Sequence, residues 1–378
     1  MGIFYFFPLG KITQLSFARD EVGMWEGLQE TLSSPAILRV IGFTFKQAAL
    51  STALTLIVGL PGAYLFGRFN FRGKKLLRAL TGVPFVMPTL VVAAGFYALL
   101  GPTGWINTAL MNRMGLASPP IQFVNTFGAI LTAHVFYNTT IVLRVVGDYW
   151  SRLDPRLESA ARVLGAGRWA TLREITLPLL LPALAAAALL VFIFDFTSFG
   201  VVLVLGGPTF ATLEVEIYYQ TISLFNLPAA ATLSLIQVGF TLILTIIYTR
   251  LTSRILGPAR LASRGRTQRP LGSRSSRLLA GLLIASLVIF LLSPLAALIG
   301  KSFTGSDPGA PLTLAFYSSL ASRPRESLFY VPPSTALGVS LGYGVITVFL
   351  ALGLGLPAAW SLSKKDLTII DKILDPVL

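Results

Sequence analysis

Few side chains inside the apolar segments of this sequence are able to take part in chemistry. Asp195 and Ser198 lie in one apolar segment, and His134, Tyr137 and Asn138 lie in another. The chain has one histidine, no cysteine and no cluster of acids in an apolar segment. Metal sites need several such ligands together, so these residues predict no metal site. They also lack the convergent acids and bases that a membrane enzyme would require.

Nucleotide binding is not encoded in a recognisable form either. The chain contains no G-x4-G-K-[ST] motif, whose backbone amides and lysine cradle the phosphates of ATP. The stretch 165–170 fits G-x-G-x-x-G/A, but no strand precedes it, so it does not indicate a dinucleotide site. Energy for any work by this protein must therefore come from another chain or from an ion gradient.

The composition indicates that these residues are held in a membrane. Hydrophobic residues make up 54% of the chain, charged residues make up 12%, and the mean hydropathy is +0.74. These values exclude an ordinary soluble domain. Seven apolar segments reach or approach the ~20 residues that a transmembrane helix needs. They lie near residues 39–66, 79–100, 124–147, 179–205, 231–250, 278–300 and 336–363.

The net charge of +14 reflects topology and does not indicate a nucleic-acid partner. Of the 30 Lys and Arg residues, 21 fall in four short segments that lie between apolar runs. Positive charge marks the cytoplasmic side of a membrane protein, so these segments are predicted to face the cytoplasm. They are 67–78, 148–174, 250–277 and 364–372.

Two pairs of short matches indicate an internal repeat. The sequence GLPGAY at 59–64 recurs as GLPAAW at 355–360, and the pattern P-L-x6-S-F at 8–17 recurs at 294–303. The copies have the same order and orientation, which predicts a parallel repeat of a six-helix unit. The expected fold class is an all-α polytopic membrane helix bundle with an incomplete first helix and an incomplete second half. By the same logic we expect the sequence to be a fragment.

The loop 149–178 carries the most informative pattern in the chain. Asp154 is a good helix N-cap, and Pro155 suits the first helical position. Gly165 is able to supply the left-handed turn that ends such a helix. The loop therefore predicts a short amphipathic helix, a turn and a return to the membrane at Pro178. Apolar residues recur at helical spacing and predict one apolar face, at Leu153, Leu157, Ala160, Ala161 and Leu164.

Within this loop, the run S-A-A-x3-G at 159–165 is followed after nine residues by I-x-L-P at 175–178. The pattern resembles the cytoplasmic loop of ABC-importer permeases, E-A-A-x3-G-x9-I-x-L-P, at matching spacing. One departure is Ser159, which stands where that family usually has glutamate, while Glu158 comes one place earlier. The resemblance covers essentially the whole chain and is greatest to the fused two-half ferric-iron and thiamine permeases.

The resemblance implies a multi-pass permease of a bacterial inner membrane that forms the pathway for a small, ferric-iron or thiamine-like solute. A periplasmic or extracellular binding protein would deliver the solute. A cytosolic ABC ATPase, as a dimer, would hold ATP and Mg²⁺, so this chain would need no cofactor and would not be an enzyme. The ATPase-coupling residues that it implies are Glu158, Ser159, Ala160, Ala161, Leu164, Gly165, Ile175, Leu177 and Pro178.

The resemblance also implies a division of the chain into domains. A first permease half would occupy 1–250 and contain the coupling loop 149–178. A basic linker would follow at 251–277, and 278–378 would begin a second, truncated half.

Several interpretations stay open at this level. Ionisable residues at bilayer depth are costly and usually face the bundle interior. Asp195, Ser198 and Asn138 therefore either line a translocation path or bond to neighbouring helices for assembly. The loop helix either docks on an ATPase or rests on lipid headgroups. The alternative function is a secondary transporter or channel driven by an ion gradient, which predicts several paired intramembrane charges where this chain has one acid.

Overall fold

The structure is a computed structural model that describes residues 7–16, 29, 32–255, 268–304, 312–321 and 331–363. The chain divides into two compact units, 1–298 and 299–378. Seven helices in the described ranges are long and apolar enough to cross a membrane. The predicted class, an all-helical polytopic membrane protein, is confirmed. The tandem repeat stays a prediction.

In the described ranges, nearly all of the regular structure is helical, and the named strands are β1 and β2, of two residues each. In chain order the elements are α1 (Phe7–Ser16), α2 (Pro35–Arg68), β1 (Phe69–Asn70), α3 (Lys74–Leu80), α4 (Val83–Val86), α5 (Thr89–Leu100), α6 (Trp105–Met114), α7 (Phe127–Trp150), α8 (Pro155–Val163), α9 (Arg168–Thr171), α10 (Leu177–Phe196), α11 (Leu213–Tyr218), α12 (Leu227–Ile255), β2 (Arg269–Pro270), α13 (Arg274–Ser302), α14 (Ala315–Ser318) and α15 (Pro333–Ser363). Three π-helical turns, Leu172–Thr176, Val202–Gly206 and Tyr219–Ser223, continue or follow α-helices.

Two predicted membrane segments are wrong in their continuity. The segment 79–100 is broken into the end of α3, the one-turn α4 and α5, which begins after Pro88. Proline lacks an amide hydrogen and restrains the residue before it, so Pro84 and Pro88 interrupt the helix. The segment 179–205 is one helix only as far as Phe196, and a separate π-helical turn follows at Val202–Gly206.

The most extensive helix contact in the first unit joins α2 and α7. A methyl group built on Gly59 would lie 2.8 Å from Cβ of Val142. One built on Gly147 would lie 3.2 Å from the carbonyl oxygen of Ala63. Small residues allow membrane helices to approach each other because lipid provides no hydrophobic drive for association. Helix α10 packs on both α2 and α7, and this three-helix core positions the candidate sites.

Helix α13 covers another side of the same unit. Its residues Leu287, Leu291 and Pro294 are buried, and the helix begins at Arg274, within the predicted basic linker. A methyl group on Gly95 of α5 would lie 3.0 Å from the carbonyl oxygen of Pro294, so α5 and α13 touch through their backbones. This contact places the part of α13 up to residue 298 in the first compact unit.

The end of the basic linker is attached to the end of α2. Strands β1 and β2 pair in parallel, with Phe69 opposite Arg269. Beside them, Nε2 of Gln268 donates hydrogen bonds to the carbonyl oxygens of Phe66 and Gly67, at 3.4 and 3.3 Å. The predicted linker at 251–277 is therefore fixed at its C-terminal end, while 256–267 lie outside the described residues.

The second unit contains one long helix and a short segment that precedes it. The helix, α15, has exposed side chains along its described length and contains Pro357. In the preceding segment, the amide of Thr313 donates to the carbonyl oxygen of Phe303 at 2.8 Å, and the rings of Phe303 and Tyr317 lie 5.3 Å apart. Pro61 lies inside α2 as Pro357 lies inside α15.

The approach of α2 to α7 yields a first prediction. Gly59→Ala should lower the thermal midpoint of the purified protein in detergent, because the added methyl group overpacks Val142 at a cost of about 1–3 kcal/mol. Gly42→Ala in the same helix is the matched control, since a methyl group there meets nothing within 4 Å. The control should unfold at the parent temperature or above it, because alanine favours a helix over glycine by about 1 kcal/mol. Equal midpoints for the two variants would contradict the assigned packing.

Candidate functional site

Helix α8 begins and ends as the sequence predicts. Oδ1 of Asp154 accepts a hydrogen bond from the backbone amide of Arg156 at 2.9 Å, so Asp154 caps the helix, and Pro155 occupies the first helical position. After the helix, Gly165 adopts a φ of +93°, in the left-handed region that favours glycine. The predicted cap and turn are both confirmed, and the turn directs the chain into α9.

The predicted single apolar face of α8 is wrong. Leu164 is 87% exposed and Leu157 is 48% exposed, and Ala160 is exposed as well. In contrast, Ala161 and Leu153 are each only 8% exposed, and Leu153 belongs to an apolar cluster with residues of α2, α7 and α10. The helix thus has a buried inner side and an exposed outer side. The sequence pattern had assigned residues of both sides to a single apolar face.

The outer side of the loop is unusually apolar for an exposed surface. Val163 is 87% exposed and Trp169 is 73% exposed, and both lie near Leu164 in sequence. We call the four most exposed large apolar side chains of this loop the outer apolar patch: Leu157, Val163, Leu164 and Trp169. Exposed apolar patches mark binding surfaces for proteins or membranes.

Glu158 joins α8 to two membrane helices. Its carboxylate forms an ion pair with Arg68 at the end of α2, and Oε1 accepts a hydrogen bond from Oγ1 of Thr176 at 3.1 Å. Arg68 also donates from Nη1 to the carbonyl oxygen of Leu153 at 3.3 Å. Arg162, one turn along α8, approaches Glu158 at 3.9 Å. Charged groups that are largely buried need such partners, so this cluster fixes the position of the loop.

The remaining loop residues lie on the return to the membrane. Thr176 ends the π-helical turn that leads into α10, and Ile175 beside it is half-buried. Leu177 is 45% exposed, and Pro178 is the second residue of α10, directly after the π-helical turn. Ser159, which stands in the place of the usual glutamate, is exposed and donates to the carbonyl oxygen of Pro155 at 3.1 Å.

Removal of the charge at Glu158 tests this connection. Glu158→Gln should lower the thermal midpoint, because a largely buried Arg68 then loses its counter-charge at a cost of about 1–3 kcal/mol. Glu174→Gln is the matched control, since Glu174 is exposed in the same loop. The midpoint of the control should stay at the parent value. If Glu158→Gln also unfolds at the parent temperature, the ion pair does not hold the loop.

A second cluster of polar groups lies inside the three-helix core. Oδ1 of Asp195 on α10 accepts a hydrogen bond from Nδ2 of Asn138 on α7 at 2.7 Å. Nδ1 of His134 lies 3.5 Å from the same carboxylate oxygen. From α2, Nε2 of Gln47 donates to the backbone oxygen of Asp195 at 2.6 Å. These bonds join all three helices at the level of Asp195.

His134 extends this cluster with both of its ring nitrogens. Nδ1 lies 3.0 Å from Oγ of Ser51 on α2, and Nε2 lies 2.7 Å from Oγ of Ser198. These contacts give His134 a hydrogen-bonded packing role between the helices. A hydroxyl group is able to donate or accept, so both contacts suit a neutral imidazole.

The cluster supplies the partners for Asp195 that the sequence did not reveal. Asp195 is fully buried, Asn138 is 4% exposed, and Ser198 is half-buried. The structure thus brings together the three residues predicted as candidate path residues. The spacing of His134 and Asn138 was the sequence signal for this cluster, because the two residues lie one helical turn apart and share a helix face.

The enclosure of Asp195 leads to a discriminating prediction. Asp195→Asn should keep more stability and more transport than Asp195→Glu, because asparagine fits the same space while glutamate adds a methylene group to a packed core. Thermal midpoints and solute uptake by the assembled transporter measure the two effects. The opposite order, with transport retained by glutamate and lost with asparagine, would favour a charge that faces the pathway.

Outside the spans, the segment 205–218 contains a half-buried carboxylate, Glu214. Burial raises the pKa of Glu214 above its usual range. The hydrogen bond that its Oε1 accepts from Nε2 of Gln237 at 3.2 Å opposes this shift. In the described ranges, no group of three His, Cys, Asp or Glu side chains is arranged to hold a metal ion.

Comparison with known proteins identifies the class to which this loop and this core belong. Residues 59–257 match the family described as "Binding-protein-dependent transport system inner membrane component". This chain belongs to that family, a non-catalytic, multi-pass component of bacterial inner membranes. The resemblance inferred from the loop pattern is thereby confirmed at the level of the family.

Individual relatives carry different solute names. The chain is 30% identical over 317 residues to the thiamine transport system permease protein of Salmonella typhimurium, a match that covers 83% of this chain and 55% of that protein. It is 34% identical over 206 residues to the protein of the same name from Haemophilus influenzae, or 54% of this chain and 38% of that protein. It is 28% identical to the sulfate transport system permease protein of Escherichia coli, over 61% of this chain and 82% of that protein.

The matches differ in how much of each related protein they cover, and one solved structure shares the fold. The chain spans about half the length of the thiamine permeases that it resembles, 38% in one case and 55% in another. Its fold is shared with a chain of a bacterial alginate ABC transporter crystallised with a periplasmic protein bound to an alginate pentasaccharide. That match has a TM-score of 0.55 and 19% identity, and it covers 68% of this chain and 90% of the other.

Proposed function

We propose that this chain is the permease part of a binding-protein-dependent ABC importer and forms the pathway for a small solute. The loop 149–178 supports this most directly, because it displays the outer apolar patch and is tied by Glu158 to α2 and α10. A cytosolic ATPase dimer would bind the patch and supply ATP and Mg²⁺. Membership in the family favours this proposal over the alternative, a secondary transporter or channel driven by an ion gradient.

Glu158 gives the proposed coupling a physical route. A force applied to α8 acts on Arg68 at the end of α2 and on Thr176 at the start of α10. The loop residues proposed for coupling then divide by position. Ala160, Leu164 and Ser159 face outward towards a partner, while Ala161 faces the bundle and Gly165 sets the turn.

The proposed solute is thiamine or a thiamine-like cation, delivered by a periplasmic or extracellular binding protein. Two thiamine transport permeases at 30% identity or above support this choice. The names of these relatives mention thiamine or sulfate and not iron. They therefore give more support to thiamine than to ferric iron, the other solute expected from the sequence. Uptake of labelled thiamine by the assembled transporter, with ferric iron as the competing solute, tests the assignment.

For the polar cluster we propose a mechanical role within the same function. Asp195, Asn138 and His134 join α7 to α10, and Gln47 and Ser51 add α2. The three helices would then move as one body when the loop is pushed. The assignment of Asp195, Asn138 and Ser198 to the translocation path stays a prediction.

Site-specific crosslinking tests the proposed ATPase contact. Single cysteines at Ala160 and Leu164, which are exposed, should crosslink to the ATPase subunit in a nucleotide-dependent manner. A cysteine at Ala161 should not, because that position faces the bundle. The chain has no native cysteine, so the background is free of other thiols.

A cysteine at Thr103, in the turn between α5 and α6, is the second control, because the apolar segment 79–100 separates it from the basic segment 67–78 that is predicted to face the cytoplasm. It should give no crosslink, because the hydrocarbon core of ~30 Å separates it from the cytosol. If the Ala160 and Leu164 cysteines react equally with bulky thiol reagents with and without the ATPase, the loop does not dock. A helix that lies on lipid headgroups would then explain the apolar patch.

A further inference from the structure

A large cavity opens at the loop end of the first unit. Its volume is about 770 Å³. Helices α2 and α10 form an apolar wall, with Ile57 and Leu60 on one side and Leu180 and Leu184 on the other. At the edge nearest the loop, the wall gives way to arginines from three separate segments of the chain. The cavity is therefore apolar towards the spans and basic towards the loop.

The arginines reach the cavity by independent routes. Arg162 lies in the last turn of α8 and Arg168 at the start of α9. Arg269 belongs to β2, which is held against β1 at the end of α2. Three arginines thus line one cavity, from two parts of the chain that are distant in sequence.

The positive charge at this edge is not balanced. Glu158 is the one carboxylate that lines the cavity, and it is paired with Arg68 and approached by Arg162. Among the described residues, no carboxylate lies within ion-pair distance of Arg168 or Arg269. The cavity therefore offers two guanidinium groups to an anion from outside the protein.

A buried donor points to the same conclusion. Trp150 lines the cavity and is 7% exposed. In the part of the chain that the structure describes, its indole Nε1 has no hydrogen-bond acceptor. A buried N–H without a partner is costly, and a ligand in the cavity whose oxygen reached it would satisfy it.

We propose that this cavity binds one anionic phospholipid of the cytoplasmic leaflet. The phosphate lies between Arg168 and Arg269, whose planar guanidinium groups suit bidentate contact with phosphate oxygens. An acyl chain lies along the wall of α2 and α10, and an ester oxygen of the glycerol accepts from Trp150. A free phosphate ion would leave the apolar wall uncovered, and a cationic solute such as thiamine would be repelled by the arginines.

Lipid retention by the purified chain tests this proposal without the ATPase or the solute. The protein is equilibrated with vesicles of phosphatidylcholine and phosphatidylglycerol, re-extracted in mild detergent, and its bound lipid is counted by native mass spectrometry. We expect one phosphatidylglycerol to be retained in preference to phosphatidylcholine. The double variant R168Q/R269Q should retain it about tenfold less, because basic residues at the interface attract anionic headgroups.

Matched variants make the result specific to the cavity. R156Q/R173Q removes the same charge from exposed positions of the same loop that do not line the cavity, and it should retain lipid like the parent. R168K/R269K keeps the charge and should retain an intermediate amount, because lysine lacks the planar fork. Equal thermal midpoints of the lipid-free variants establish that each one is folded.

Three results would overturn the proposal. Equal losses from R156Q/R173Q and R168Q/R269Q would mean general attraction to a basic surface. Retention of both lipids alike would mean an apolar cleft without headgroup recognition. Displacement of phosphatidylglycerol by inorganic phosphate at equal concentration would mean a site for a soluble anion.

Discussion

The contact on which the arrangement of the loop depends is the pairing of Glu158 with Arg68. Both side chains are largely buried, and neither is stable in that setting without the other. Because Glu158 also accepts from Thr176, one carboxylate connects α8 with the end of α2 and with the start of α10. The outer apolar patch can be presented at a fixed place because the inner side of α8 is held in this way.

Beyond this contact, the three-helix core combines two kinds of packing. Glycines allow α2 and α7 to touch, and the cluster around Asp195 links them both to α10 by hydrogen bonds. Polar bonds between membrane helices contribute modestly one by one, but they fix rotation and register where apolar surfaces would slide. The same helices therefore carry both the tie to the loop and the polar cluster.

The sequence predicted those features that depend on local chemistry. The cap at Asp154 and the turn at Gly165 follow from what each residue type does to its own backbone, and both were found. Apolar length alone does not reveal the break at Pro88. The partners of Glu158 and Asp195 were missed for another reason, since they come from helices far along the chain and depend on how each helix is rotated.

Ala161 shows the same limit on a smaller scale. Its spacing from Leu157 and Leu164 fits one helical stripe, yet it packs inward while they are exposed. On so short a helix, the side chain of an alanine next to the apolar stripe is too small to predict whether it faces the bundle or the solvent. Only the neighbours supplied by the tertiary fold decide which way it faces.

The length of α2 has a mechanical consequence of its own. With 34 residues at 1.5 Å each, the helix is about 51 Å long. Arg68, its last residue, is the point at which the loop holds it. A tilt of about 5° around that end moves the opposite end by about 4 Å, which is the angle in radians multiplied by the length of the helix. A small rotation of the helix about Arg68 is thus enough to displace its far end by several ångströms.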